Sequence, residues 1–143
     1  KSLLGKGLTY LRTQWPKLIR FTTTPHALRY LTLGNVVRGS HTFVHAVASI
    51  PASSTWHCGH KVKDAALIMP GTVIATFDPN GRYGNHTDGR SHAAIFLGRD
   101  PTGIRVLDQW NGHTTQPVHE RVIRYRNGLG LKVNDGDQFY VVE

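Results

Sequence analysis

HAAIFLGRDPTGIRVLDQW, residues His92 to Trp110, is the stretch whose reading decides the fold. His92 to Gly98 is an apolar run of strand length, and Ile104 to Trp110 is rich in β-branched and aromatic residues. Between them Arg99-Asp100-Pro101-Thr102-Gly103 carries the Asp, Pro and Gly of a tight turn. A hairpin follows, in which paired residue numbers sum to about 202, give or take about two for register. His92 at the head of one strand then lies opposite Asp108 or Trp110 near the tail of the next. Strand alternation puts Asp108 on the face of Ile104 and Val106, and in register that is also the His92 face. Gln109 points to the other face unless a bulge intervenes.

That juxtaposition has a chemical meaning. A carboxylate beside an imidazole fixes its tautomer, which is the orienting half of a nucleophile–His–acid arrangement. The competing reading is a strand-end histidine near water beside a turn-proximal acid.

Outward from the hairpin, further strands are expected over Gly71–Asp78, Val118–Tyr125 and Gln138–Val142, with a Gly/Asn/Asp-rich loop from Pro79 to Ser91. Thr42 to Ile50 (TFVHAVASI) reads as a short helix, and Ser53-Ser54-Thr55 opens a polar loop. A helix followed by a run of antiparallel strands is an α+β pattern.

Composition narrows the class. The chain has 143 residues, with 17 Lys+Arg against 9 Asp+Glu, and it is 39% hydrophobic. That excludes a disordered polyelectrolyte and fits one domain with a modest core. The charge is uneven: residues 1–63 hold nine basic side chains and no acidic one. Within residues 1–34, Leu8, Leu11, Trp15, Leu18 and Ile19 have near-helical spacing that Pro16 breaks. This stretch is read as a weakly structured basic leader suited to an anionic surface, ahead of a domain at 35–143. Its first residues lack the apolar run of a signal peptide, which leaves two locations to weigh, the bacterial periplasm or the outside reached by export without a classical signal peptide. No nucleic-acid motif accompanies the charge, so no specific nucleic-acid partner is expected, and the chain is read as a monomer.

His57, Cys58, His60 and His86 are metal-ligand types, but the spacing is not that of a zinc knuckle. No metal or other cofactor is expected. Cys58 is the single thiol and, between two histidines, the alternative nucleophile.

Four stretches taken in order, STWHCGHKV (Ser54 to Val62), GTVIATF (Gly71 to Phe77), GRYGNHTDGRSHAAIFLGRD (Gly81 to Asp100) and GIRVLDQW (Gly103 to Trp110), resemble a small bacterial family of NlpC-type cell-wall peptidases, related to the CHAP amidohydrolases. The resemblance covers roughly residues 35–143. It implies a papain-like α+β domain, an N-terminal helix packed on a small antiparallel sheet, that cuts an amide bond in the stem peptide of peptidoglycan. It also implies a Cys nucleophile at a helix start, a His matching His92, and an orienting residue matching Asp108, with Gln109 as the alternative. The family pattern Gly-x-Gly-Gln-Cys-Val falls on Gly39-Ser40-His41-Thr42-Phe43-Val44, so Phe43 stands at the nucleophile position. A phenyl ring has no lone pair with which to attack a carbonyl. The expectation is therefore an amidase-like domain that is degenerate or inactive, with an active hydrolase using Cys58 and a basic polyanion- or membrane-surface-binding protein as alternatives.

Overall fold

The computed structural model describes residues 52–68, 70–110 and 116–143. They build one six-stranded antiparallel sheet from β1 (Cys58–Lys61), β2 (Val73–Ala75), β3 (Ala93–Asp100), β4 (Gly103–Trp110), β5 (Gln116–Arg124) and β6 (Tyr140–Val142). The order across the sheet is β1-β6-β2-β3-β4-β5.

This corrects the expected fold class. In place of an N-terminal helix packed on a small antiparallel sheet, the described residues are mostly sheet. Their only helical segments are single 3₁₀ turns at Ser53–Thr55, Lys132–Asn134 and Gly136–Gln138. The helix expected over Thr42 to Ile50, with Phe43 in it, and the broken helix of residues 1–34 lie outside the described residues. Strand β1 was also not foreseen: Cys-Gly-His-Lys has neither alternation nor strong β propensity, and it is a strand because β6 pairs with it.

The β3–β4 hairpin forms where expected. Ile95 pairs with Leu107 and Phe96 with Val106, and a register shift before Gly98 moves the outer pairs to Arg99–Ile104 and Asp100–Gly103. The turn is closed by Asp100, whose Oδ1 accepts from Thr102 N at 2.7 Å, Thr102 Oγ1 at 2.6 Å and Gly103 N at 3.2 Å. Gly103 is required by close approach, since a Cβ there would meet Ile123 O at 2.5 Å.

One sheet face carries the core cluster Val62, Ile74, Ala94, Phe96, Ile104, Val106, Ile123 and Phe139. Each large apolar side chain so buried contributes about 1.5–3 kcal/mol. The opposite face is buried too, at Val73, Ala75, Ala93, Ile95, Leu97 and Leu107. Burial on both faces explains why HAAIFL reads as a continuous apolar run rather than a strict alternation. On the first face the apolar row ends in polar residues: Asp108 continues Ile104 and Val106, and His92 leads into Ala94 and Phe96.

Candidate active site

His92 sits immediately before β3, and its backbone is held by Thr76, just past the end of β2. Thr76 N donates to His92 O at 3.0 Å, Thr76 Oγ1 accepts from His92 N at 3.0 Å, and the same hydroxyl donates to Arg90 O at 2.9 Å. Thr76 is fully buried. The imidazole also meets the Phe139 ring edge-on, with centroids 6.2 Å apart at 87°.

The ring's Nε2 lies 2.6 Å from Asp108 Oδ2. His92 is 3% exposed and Asp108 0%, so the contact is shielded from water. Burial by itself would raise the Asp108 carboxyl. The hydrogen bond with His92, and the interactions with the imidazole and the Arg121 guanidinium, outweigh it and hold the carboxyl below the ordinary aspartate value. An ionised carboxylate only accepts, so the shared proton is assigned to Nε2. Nδ1 makes no hydrogen bond among the described residues and, in the neutral ring, keeps its lone pair. A proton acceptor held in one tautomer by a buried acid is the equipment of a general base.

Sequence reasoning missed the third member of this group. From β5, Arg121 Nε donates to Asp108 Oδ2 at 2.9 Å and Oδ1 at 3.2 Å, and Nη2 donates to Val133 O at 3.2 Å. Alternation within β5 would have put Arg121 on the face of Ile123. The β4–β5 register, Asp108 opposite His119 and Val106 opposite Arg121, was not readable because a register shift intervenes between Asp108 and Trp110. Thr76 was visible only as part of the GTVIATF strand.

The other candidates are placed elsewhere. Gln109 is fully buried, next to a register shift between Asp108 and Trp110, but the residue on the His92 ring is Asp108. Cys58, on edge strand β1, places Sγ 3.7 Å from Gly59 O. Burial, and then the negative charge of Glu143, push its thiol up from the ordinary value, opposite to what a nucleophile needs. His57 Nε2 receives Arg82 Nη1 at 3.2 Å, and His86 Nε2 lies 2.8 Å from Asp78 Oδ2. These ligand-type side chains thus go to different partners, and no group of three or more converges among the described residues.

A buried His–Asp pair thus lies at the end of the sheet's core face, and comparison with known proteins places the chain in a family. Residues 22–142 match the family described as Domesticated amidase effector 2, and the chain belongs to that family. It is similar to a type VI secretion amidase effector 2 protein of Salmonella typhi, 42% identical over 100 residues, covering 64% of this chain and 74% of that one. It is also similar to domesticated amidase effector 2 of Ixodes scapularis, 41% identical over 90 residues. That match covers 62% of this chain and 56% of the tick protein, so the chain spans little more than half of that relative. Among solved structures, a type 6 secretion amidase effector 2 (Tae2) superposes with a TM-score of 0.55 at 40% identity, covering 66% of this chain and 72% of the other. With relatives in a bacterium and a tick, the family extends beyond the bacterial group that the sequence resembled.

Proposed function

We propose that this chain is a degenerate peptidoglycan amidase- or endopeptidase-like domain of NlpC type in which His92 stands as the general base, Asp108 orients it, and Phe43 occupies the nucleophile's place. The observation that carries the reading is the buried 2.6 Å contact between His92 and Asp108. The family's amidase name supports the reaction class, and the resemblance to cell-wall peptidases supports stem-peptide amides as the substrate.

In such a site a thiol passes its proton to Nδ1 of His92 and attacks the amide carbonyl, while Asp108 accepts from Nε2–H and stabilises the imidazolium that forms. The base then returns the proton to the leaving amine. Phe43 supplies neither the proton nor the electron pair, so the chain as it stands binds without cutting. Cys58 does not take over: its thiol is pushed up, and it is on the edge strand rather than at the head of β3.

The test is to incubate purified peptidoglycan with the unchanged chain, with Phe43→Cys, and with Phe43→Cys combined with His92→Ala. The unchanged chain is expected to release no new amine and Phe43→Cys to release it. Adding His92→Ala should lower that rate by about 10²–10⁴-fold, the usual contribution of a general base. Turnover by the unchanged chain that disappears in Cys58→Ala would replace this reading with the Cys58 one.

A further inference from the structure

The Arg121 guanidinium is placed to do more than neutralise a buried acid. Its Nε reaches both oxygens of Asp108, at 2.9 and 3.2 Å, while Nη2 is tied to Val133 O at 3.2 Å. Asp108 Oδ2 therefore takes two donors, Arg121 Nε and His92 Nε2. The anchor is itself fixed. Val133 N donates to Gly89 O at 3.2 Å, and the Lys132 ammonium donates to Phe77 O at 2.7 Å. Behind it, Asp135 accepts from Arg126 N at 2.8 Å, Gly128 N at 2.7 Å and Asp137 N at 2.9 Å, which holds the segment between β5 and β6.

Arg121 Nη2 also comes to 3.5 Å from His92 Nε2. Both carry hydrogen in the assigned tautomer, so this is an approach of two donors competing for one carboxylate rather than a bond between them. The geometry leaves Asp108 Oδ2 one place for the imidazole. Among the described residues, the titratable residue opposite Asp108 in the β4–β5 ladder is His119.

We propose that Arg121 is a positioning residue of the site: anchored on Val133, it aims the Asp108 carboxylate at Nε2 of His92 and keeps it ionised. This rests on the reading of His92 and Asp108 as the base and its orienting acid. Arg121 acts through Asp108, to both of whose oxygens its Nε donates. Its side chain is 17% exposed, so its attraction for the carboxylate is only partly screened.

The experiment follows the Asp108 carboxyl by carbon NMR and the His92 ring by nitrogen NMR in the full chain, for the parent, Arg121→Gln and Arg121→Lys. In the parent, Asp108 is expected to titrate below the ordinary aspartate range, with the neutral His92 ring protonated on Nε2. In Arg121→Gln the Asp108 midpoint should rise by about one pH unit or more, the usual effect of losing an opposite charge at this range, and Arg121→Lys should fall between. In the Phe43→Cys background, Arg121→Gln should lower kcat by about tenfold or more with KM within about twofold, since binding is untouched. An unchanged Asp108 midpoint in folded Arg121→Gln overturns the proposal. Should Arg121→Gln not fold, Arg121→Lys in the Phe43→Cys background decides: kcat equal to that of Phe43→Cys alone overturns it, and a lower kcat with KM kept supports it. The NMR reading needs no turnover. A shifted midpoint in a chain that Phe43→Cys fails to activate would therefore sink the amidase assignment and leave Arg121's hold on Asp108 standing.

Discussion

Two histidine–aspartate pairs of almost equal length stand in this molecule in opposite settings. His92–Asp108 spans 2.6 Å with side chains 3% and 0% exposed, whereas His86–Asp78 spans 2.8 Å with side chains 27% and 22% exposed. The inner pair has Arg121 as a third member and Thr76 clamping the backbone behind it. The outer pair sits on the loop between β2 and β3, steadied by Ser91 Oγ accepting from His86 N at 2.8 Å. Length alone therefore says little about what such a pair does. Burial decides whether water competes for the carboxylate, and the third partner decides whether the buried charge is tolerated.

The strongest way to break the comparison is Asp108→Ala. It strands the Arg121 guanidinium and the His92 N–H without their acceptor. Loss of one partner from a buried ion pair costs about 3–5 kcal/mol. A thermal melt of the purified variant should show its midpoint lowered by about 10 °C or more. A melt within a degree or two of the parent would mean that the inner pair is as weak as the outer.

Acid probes the same site more gently. Because the Asp108 carboxyl is held below its ordinary value, its contribution is fully present above the unfolded-state value, about pH 4, and is lost as pH falls through the lower folded-state value. Urea titrations from pH 6 to pH 2 should show stability falling below about pH 4. Asp108→Asn should flatten that part of the profile.

The smallest effects belong to the outer pair. Asp78→Ala should change stability by less than about 1 kcal/mol, as partly exposed pairs do. Gly84→Ala goes a step further, because an added Cβ would collide with the carboxylate of Asp78 and the ring of His86. It should separate that pair in a crystal structure and leave the His92–Asp108 distance unchanged. Movement of the inner pair in that variant would show the two to be coupled through the loop.

Legibility in the sequence followed locality. The β3–β4 hairpin was readable because its turn residues and both strands are contiguous, and that register was enough to bring His92 within reach of Asp108. Arg121 was not readable, because its place opposite Val106 depends on a β4–β5 register that an irregularity between Asp108 and Trp110 displaces. Strand β1 was not readable because its pairing partner, β6, comes near the other end of the chain. The helix-on-sheet expectation failed for a related reason. The family resemblance implied a small sheet under a helix, whereas among the described residues the strand order inserts β6 between β1 and β2, making a six-stranded sheet accompanied only by 3₁₀ turns. Phe43, read from a motif alone, lies outside the described residues, and its role rests on the variant rather than on geometry.

The meeting of β1 with β6 has a further consequence. Cys58 lies opposite Val142, and the ladder is extended by His57 N donating to Glu143 O at 2.7 Å, Glu143 N to His57 O at 2.9 Å and Val62 N to Phe139 O at 2.9 Å. Through these bonds the sheet closes a loop of about eighty residues, within which both histidine–aspartate pairs lie. The entropy of such a closure grows only slowly, by about 0.6 kcal/mol for each doubling of loop length. With a single cysteine the chain has no disulfide of its own with which to staple that loop. A backbone ladder does the fastening instead, reversibly and without regard to the redox state of its surroundings.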